Sequence, residues 1–340
     1  MLASHRLNRG RRSTGKVTLA DVAKAVGVGT MTVSRALRTP EMVSDELRSK
    51  IERAVRKLGY IPNSAARQLA SASSQHVVII TSSIISTENT LILEALQKTL
   101  GHSCVQLVIL IANKPNWLRE LMNYSPLAII LLNVECPPSE LEWIQNTTVP
   151  CIEIGTKQRK FQGISISMDI KGAVRKMLDF LVAKGYQEIG LLTAKQNLAI
   201  FQQYLAGWHT ASLNMGIDPH LILHCAEPIS FSAGAKLFNE SRLHWGKIDA
   251  LIFLSDELAA GALFEAQRRH LSIPYDVAVV GFGNLDVSEV TYPKLTTIAI
   301  PYSQLGISAG EKLLEILTEP HHIRTETIQL PAQIILRDST

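Results

Sequence analysis

From residue 76 onwards, short apolar runs alternate with longer stretches in which apolar positions recur every three to four residues. The apolar runs predict strands at 77–81, 104–111, 127–132, 149–154, 164–167, 188–192, 221–224, 250–254, 277–282 and 296–299. The periodic stretches predict helices between them, for example at 90–100, 172–184, 206–215, 232–243 and 258–270. Strands that are apolar throughout are typical of parallel sheets covered on both faces. About ten strands are many for one sheet, so the pattern favours two doubly wound α/β subdomains.

The first 75 residues show a different pattern, with four short helical stretches separated by turn residues, the last of them after Pro62. Thr18, with Asp21 three residues later, forms a capping-box pattern that begins a helix, and Gly27-Val28-Gly29 ends it. A second helix follows directly. Ser44 is predicted to cap a third helix, which Gly59 ends. The head is therefore all-α, in contrast to the body that follows it.

Two short helices that are joined by a glycine-containing turn and supported by a third form a helix-turn-helix. In that motif the second helix enters the major groove of DNA with its N-terminus first. An arginine there can donate two hydrogen bonds to a guanine edge, and a methionine offers an apolar contact. The exposed, DNA-facing residues are predicted to be Thr30, Met31, Thr32, Ser34 and Arg35. The alternative is a small helical bundle without a DNA-binding role.

Charge is distributed unevenly along the chain. Residues 1–75 contain 14 Lys/Arg and 5 Asp/Glu, whereas residues 76–340 contain 20 and 25. A basic head on an acidic body is the electrostatic pattern of a nucleic-acid-binding protein. Residues 1–16 add five basic residues and no acidic one. We expect them to form a flexible arm, which either contacts phosphates or is merely solvated.

Composition excludes several classes of protein. The chain has 340 residues, of which 46% are hydrophobic, so it is not disordered. Its four cysteines contain no CxxC pair, which favours reduced thiols and gives no zinc site. No apolar run approaches 18 residues, and the N-terminus is charged where a signal peptide needs an apolar segment. The expected location is the cytoplasm, at the nucleoid, and no metal or cofactor is expected.

Several short motifs of the head resemble the lactose-repressor (LacI) family. They are Val17-Thr18-Leu19-Ala20-Asp21-Val22-Ala23, Gly27-Val28, Thr32-Val33-Ser34-Arg35 and Gly59-Tyr60-Ile61-Pro62-Asn63. The stretch from Met31 to Arg35 is most similar to the gluconate and idonate regulators of that family. In the body, Leu205-Ala206-Gly207-Trp208-His209, Ser255-Asp256-Glu257 and Pro293-Lys294-Leu295-Thr296-Thr297-Ile298 continue the resemblance more loosely.

The resemblance implies a division of the chain. It comprises an arm at 1–16, a helix-turn-helix at 17–62, a hinge helix and linker at 63–75, and a periplasmic-binding-protein-like body at 76–340 for effector binding and dimerisation. The body divides into an N-subdomain, about 76–168 and 301–331, and a C-subdomain, about 169–300 and 332–340.

In the family the hinge helix folds on operator DNA in the minor groove, where a leucine wedges the central base step. The resemblance places that role on Leu69, and a segment of about eight residues does not hold a helix alone in water. Thr18, Asn63 and Arg67 complete the predicted DNA-binding set. The alternative is that Leu69 packs against the body.

The effector is expected where the strands of the two sheets end, since doubly wound sheets bind ligands outside the carboxyl ends of their strands. The predicted effector-binding residues are Ser82, Ser83, Glu153, Asp169, Tyr204, Ser255, Asp256 and Gly283. Two positions depart from the family: Tyr204 stands where an arginine is usual, and Gly283 where a polar residue is common. Asp256 has a second interpretation, as the cap of the helix that follows it.

Together these features predict a sequence-specific DNA-binding transcriptional regulator that is not an enzyme. We expect a homodimer on a palindromic operator, repressing a carbohydrate or sugar-acid operon under the control of a sugar or sugar acid. The alternative is an enzyme of the sugar-kinase type with a DNA-binding head. Against it, the chain has no G-x-x-x-x-G-K-[ST] phosphate loop, no G-x-S-x-G elbow and no H-E-x-x-H motif. A periplasmic solute-binding protein is a further alternative, disfavoured by the charged N-terminus and the head.

Overall fold

The computed structural model describes residues 17–60, 75–112, 117–155, 161–195, 198–319 and 325–340. The chain divides into two compact units, Met1–Ser73 and Ser74–Thr340. The predicted arm at 1–16 and the hinge residues Asn63, Arg67 and Leu69 lie outside the described residues.

The described part of the first unit is helical. Its elements are α1 (Leu19–Val26), α2 (Thr30–Arg38), a 3-10 turn (Pro40–Met42) and α3 (Asp45–Leu58). At the start of α1, the Thr18 amide donates to Asp21 Oδ2 at 2.8 Å and the Asp21 amide donates to Thr18 Oγ1 at 3.4 Å. These two reciprocal bonds confirm the predicted capping box.

The turn between α1 and α2 depends on Gly27. Its φ of +77° lies in the left-handed region, and its amide donates to the Ala23 carbonyl. This turn lets α1 and α2 pack on α3 around a small core of Val22, Ala23, Val33, Ala36 and Ile51. The three helices therefore form a helix-turn-helix with its own apolar core.

The prediction that the Ser44 side chain caps α3 is wrong. Ser44 occupies the N-cap position, but its side chain makes no capping hydrogen bond. Asp45 and Glu46 in the first turn supply favourable negative charge at this end of the helix instead. Gly59 ends α3 as predicted, with φ +65°.

The second unit alternates strands and helices. Its described strands are β1 (His76–Thr81), β2 (Gln106–Ile111), β3 (Ala128–Leu132), β4 (Cys151–Ile154), β5 (Ile164–Met168), β6 (Ile189–Lys195), β7 (Ile222–Pro228), β8 (Ala250–Phe253), β9 (Ala278–Gly283), β10 (Thr296–Ala299), β11 (Glu326–Leu330) and β12 (Gln333–Ile335). Its described helices are α4 (Thr87–Thr99), α5 (Trp117–Met122), α6 (Pro138–Gln145), α7 (Ile170–Ala183), α8 (Leu198–Met215), α9 (Phe231–His244), α10 (Asp256–Arg268), α11 (Val287–Val290) and α12 (Tyr302–Thr318).

The strands form two six-stranded sheets, with the orders β11-β5-β4-β3-β1-β2 and β12-β10-β9-β8-β6-β7. The chain passes from the first sheet to the second after β5, returns after β10, and passes again after β11. Within each sheet the interior strands are parallel and buried on both faces, so Val77 and Val78, for example, face different apolar clusters. The predicted pair of doubly wound α/β subdomains is confirmed. We call them the first and second subdomain after their sheets.

Strands β11 and β12 were not among the predicted elements. Both lie at sheet edges, where one side of the strand has no neighbour and polar residues are tolerated, so the apolar signal is weak. In addition, β12 pairs with β10 antiparallel, whereas only parallel pairs were expected. Among the described residues, the helices are too short or too polar to cross a bilayer.

Candidate functional site

One face of α2 is available for a partner. Thr30, Met31 and Arg35 are exposed, Met31 to 70%, while Val33 and Ala36 on the opposite face are buried in the head core. Among the described residues, nothing forms a hydrogen bond or an ion pair with the Arg35 guanidinium. The α2 surface therefore presents an unpaired cation next to a large apolar side chain.

Two of the five α2 residues predicted to be exposed are only half exposed. Thr32 and Ser34 are partly buried, since they lie where α2 turns towards the packed side of the head. The start of α2 suits an anion, because its first turn contains no acidic residue and its N-cap is Gly29, which has no side chain. The exposed face and this helix terminus both favour contact with a polyanion.

In the second unit, the carboxyl ends of β8 and β9 and the start of β10 meet at the carboxylate of Asp256. Its Oδ1 accepts a hydrogen bond from Thr297 Oγ1 at 2.5 Å, and its Oδ2 accepts from the Leu285 amide at 2.6 Å. Burial raises the pKa of Asp256 to about 6, although these hydrogen bonds oppose the rise. The helix cap is Ser255, whose Oγ accepts from the Glu257 amide at 3.1 Å. Asp256 thus ties strands and a loop together and does not cap α10.

Two tyrosines stand beside this carboxylate. The ring of Tyr204 on α8 meets that of Phe282 edge-on, with centroids 5.1 Å apart. Tyr302 begins α12, where the chain has returned to the first subdomain. Burial raises the pKa of both tyrosines, and the nearby charges of Glu88 and Asp256 add to the rise. These aromatic rings and carboxylates therefore share one site.

Two contacts join the subdomains at this site. The hydroxyl of Thr87, at the start of α4, donates to Glu257 Oε1 at 3.1 Å. Leu285, which follows β9 of the second subdomain, packs in the apolar core of the first beside Ile92 and Leu305. The site therefore lies where the two subdomains meet, which is where the effector cleft is expected, and it includes contacts that any change in their separation alters.

The structure brings together only some of the predicted effector-binding residues. Tyr204, Ser255, Asp256 and Gly283 lie at the carboxyl ends of the second sheet, and Ser82 and Ser83 follow β1 of the first. Glu153, in contrast, is buried on the β4 face that carries Cys151, and its charge acts on Cys136 and Cys151. Asp169 is exposed and accepts from the Gly172 amide as the cap of α7.

Sequence reasoning missed Glu88, Glu257, Tyr302 and Leu285. Glu257, Leu285 and Tyr302 each contact residues more than a hundred positions away, and Glu88 is next in sequence to Thr87, which makes one of these contacts. Only their positions along the chain could have indicated a role at this site. Glu88 lies in the helix that follows the first strand, and Tyr302 begins the helix that follows β10, where the chain returns to the first subdomain.

Both units match models of known families. Residues 18–63 match the model for bacterial regulatory proteins of the lacI family, and residues 178–340 match a periplasmic binding protein-like domain. The HTH-type transcriptional regulator GntR of Escherichia coli (strain K12) is 31% identical over 302 residues, which are 87% of this chain and 90% of that protein. The chain belongs to the LacI family. The resemblance found in the head is thereby confirmed.

Solved structures of LacI-family proteins support the same fold. A regulator from Silicibacter pomeroyi is 24% identical, with a TM-score of 0.85 over 95% of this chain and 99% of that one. The lac repressor dimer bound to operator and the anti-inducer ONPF is 25% identical, with a TM-score of 0.78 over 96% and 99%. As a LacI-family member, the protein is a DNA-binding transcriptional regulator with an effector-binding body, and its relatives give no support to an enzyme.

Proposed function

We propose that a homodimer of this chain binds a palindromic operator and represses a carbohydrate or sugar-acid operon in the cytoplasm. The observation that carries the proposal is the exposed face of α2, with Arg35 unpaired among the described residues. In a dimer, a two-fold axis relates the two α2 helices. They then fit two operator half-sites that lie one helical turn of DNA apart. That the lac repressor relative was solved as a dimer on its operator supports this arrangement.

In this proposal the residues of the head have separate roles. Arg35 and Met31 contact base edges. Thr30, Thr32 and Ser34 on α2, and Thr18 at the start of α1, contact phosphates or bases. The hinge segment 63–75, with Asn63, Arg67 and Leu69, folds on DNA and enters the minor groove. The arm at 1–16 adds salt-dependent affinity for phosphates.

The cleft between the subdomains is proposed to hold a small sugar or sugar acid. The support is the convergence of Tyr204, Phe282 and Asp256 at the carboxyl ends of the second sheet, beside the Thr87–Glu257 bond that joins the subdomains. A ligand that prefers one separation of the subdomains shifts the equilibrium towards it. Through the hinge segments, that shift changes the affinity for the operator.

Selection from a pool of random DNA duplexes by the full chain tests the proposal. The expected result is enrichment of an inverted repeat, with binding that weakens as salt rises. Failure to enrich any motif contradicts sequence-specific binding, and a motif without two-fold symmetry contradicts the dimer.

A further inference from the structure

Two glutamates lie where α4 of the first subdomain meets α10 of the second. Glu257 accepts from Thr87 Oγ1 at 3.1 Å, and Glu88, the residue after Thr87, accepts from Ser86 Oγ at 2.7 Å. Burial raises the pKa of Glu88, and the charge of Glu257 adds to the rise. The two carboxylates are therefore close enough to repel each other across the cleft.

Within the described ranges, no Lys, Arg or His forms an ion pair with Glu88 or Glu257. The charge of Arg337 acts on the neighbouring Asp256, but its guanidinium is bound by Leu295, Asn284, Ser288 and Glu289. The charge of this part of the cleft is thus left uncompensated by the described side chains.

Two tyrosine side chains point to a ligand at the same place. Tyr204 is 5% exposed and Tyr302 is 9% exposed, and neither hydroxyl forms a hydrogen bond with any described residue. Both hydroxyls lie within reach of the Glu88 charge, and that of Tyr302 also lies within reach of Glu257. Neither hydroxyl oxygen belongs to the buried polar atoms that lack a partner, so both are open to water or to a ligand.

We propose that Glu88, Glu257 and the hydroxyls of Tyr204 and Tyr302 form an acidic wall of the cleft that binds the hydrogen-bond-donating end of the effector. That end is a hydroxyl or an ammonium group. Carboxylates only accept hydrogen bonds, whereas a tyrosine hydroxyl donates and accepts, so the wall suits a polyol end and repels a carboxylate. A sugar acid then binds only with its carboxylate directed away from the wall. This inference rests on the proposed effector cleft.

Four open-chain six-carbon compounds of the same configuration test the inference: glucamine, glucitol, gluconate and glucarate. They differ only in their end groups, and glucarate alone has a carboxylate at both ends. With the full chain, the first three are expected to bind and to raise the melting temperature. The dissociation constant of glucarate is expected to be at least about tenfold higher than that of glucitol, because one of its carboxylates must face the wall.

Glu88→Gln and Glu257→Gln keep the shape of the wall and remove its charge. Each substitution is expected to weaken the binding of glucamine more than that of glucitol. Each should also bring the dissociation constant of glucarate closer to that of glucitol. Tyr302→Phe is expected to weaken the binding of glucitol. Glu311→Gln, at an exposed glutamate on α12, is the matched control and is expected to leave all four affinities unchanged.

The acidic wall is contradicted if the wild-type chain binds glucarate as tightly as glucitol, or if both glutamine variants still prefer glucitol to glucarate as strongly as the wild type does. Neither of these results contradicts the proposed effector cleft. Absence of binding by all four compounds overturns the inference and also counts against the proposed cleft. A measurement without ligand provides a second check: relief of repulsion should let Glu88→Gln, but not Glu311→Gln, raise the melting temperature at pH 8. An unchanged melting temperature for Glu88→Gln contradicts the proximity of the two carboxylates.

Discussion

The carboxylate of Asp256 and the hydroxyl of Thr297 are joined by a 2.5 Å hydrogen bond between the start of α10 and strand β10. The same carboxylate also holds the Leu285 amide, and the Leu285 side chain packs into the core of the other subdomain. A single buried side chain thus connects the second sheet to an inter-subdomain contact. Its ionisation should therefore affect the stability of the body.

Replacing Asp256 with Asn should change how stability depends on pH. Burial raises the pKa of Asp256 from 3.8 to about 6 in the folded protein, so keeping the group protonated favours folding. The stability of the wild type relative to Asp256→Asn should be greatest below pH 4 and fall as the pH rises through 6. The total fall should be about 3 kcal/mol. Chemical denaturation of both proteins between pH 4 and pH 8 measures it, and a constant difference contradicts the raised pKa.

Arg337 holds the loop that follows β9. Its side chain is 11% exposed and donates to the Leu295 carbonyl and Asn284 Oδ1 at 2.8 Å each, and to Ser288 and Glu289 at 3.2 Å each. Lysine cannot reproduce this forked geometry. Arg337→Lys should destabilise the body by about 2 kcal/mol in thermal or denaturant unfolding.

Arg175→Lys is the control for this substitution, because Arg175 is exposed on α7. It should change the free energy of unfolding by less than about 0.5 kcal/mol. Equal effects of the two substitutions argue against the role of Arg337.

The two N-caps of the head provide a matched pair of variants. The Thr18 side chain closes a capping box, whereas the Ser44 side chain makes no capping hydrogen bond. Thr18→Ala should therefore reduce protection of the α1 amides from hydrogen exchange by about 1 kcal/mol, and Ser44→Ala should leave α3 nearly unchanged. The two variants are compared in the full chain. A larger loss for Ser44→Ala contradicts the geometry of the caps.

Most of the fold could be predicted from the sequence because it depends on local periodicity. All ten predicted strands are present, since interior parallel strands such as Ala128–Leu132 are apolar on both faces. Edge strands such as Gln333–Ile335 lack that signal. The site was less predictable. Tyr204 and Asp256 could be placed at the site because they lie next to or within short sequence motifs. Glu88 and Tyr302 reach the site through tertiary contacts, which no local pattern encodes.

Glu153 shows what the alternation within a strand could have revealed. In β4, Ile152 and Ile154 face one apolar cluster, and Cys151 faces the other. Because side chains alternate along a strand, Glu153 must share the face of Cys151. Its burial beside Cys151 and Cys136 follows directly from that register.

The measurement that most directly tests the account is the affinity of wild type, Arg35→Ala and Lys50→Ala for a duplex selected by the full chain and for a scrambled duplex. The Lys50 ammonium is held by Glu46 at 2.7 Å, which makes it the control. Loss of a bidentate base contact should weaken Arg35→Ala on the selected duplex by about 1–3 kcal/mol, or roughly five- to 150-fold, with little change on the scrambled one. Lys50→Ala should lose much less on either. Recognition of the DNA sequence by α2 is contradicted if Arg35→Ala binds the selected duplex as tightly as the wild type does. It is also contradicted if Arg35→Ala loses the same affinity for both duplexes.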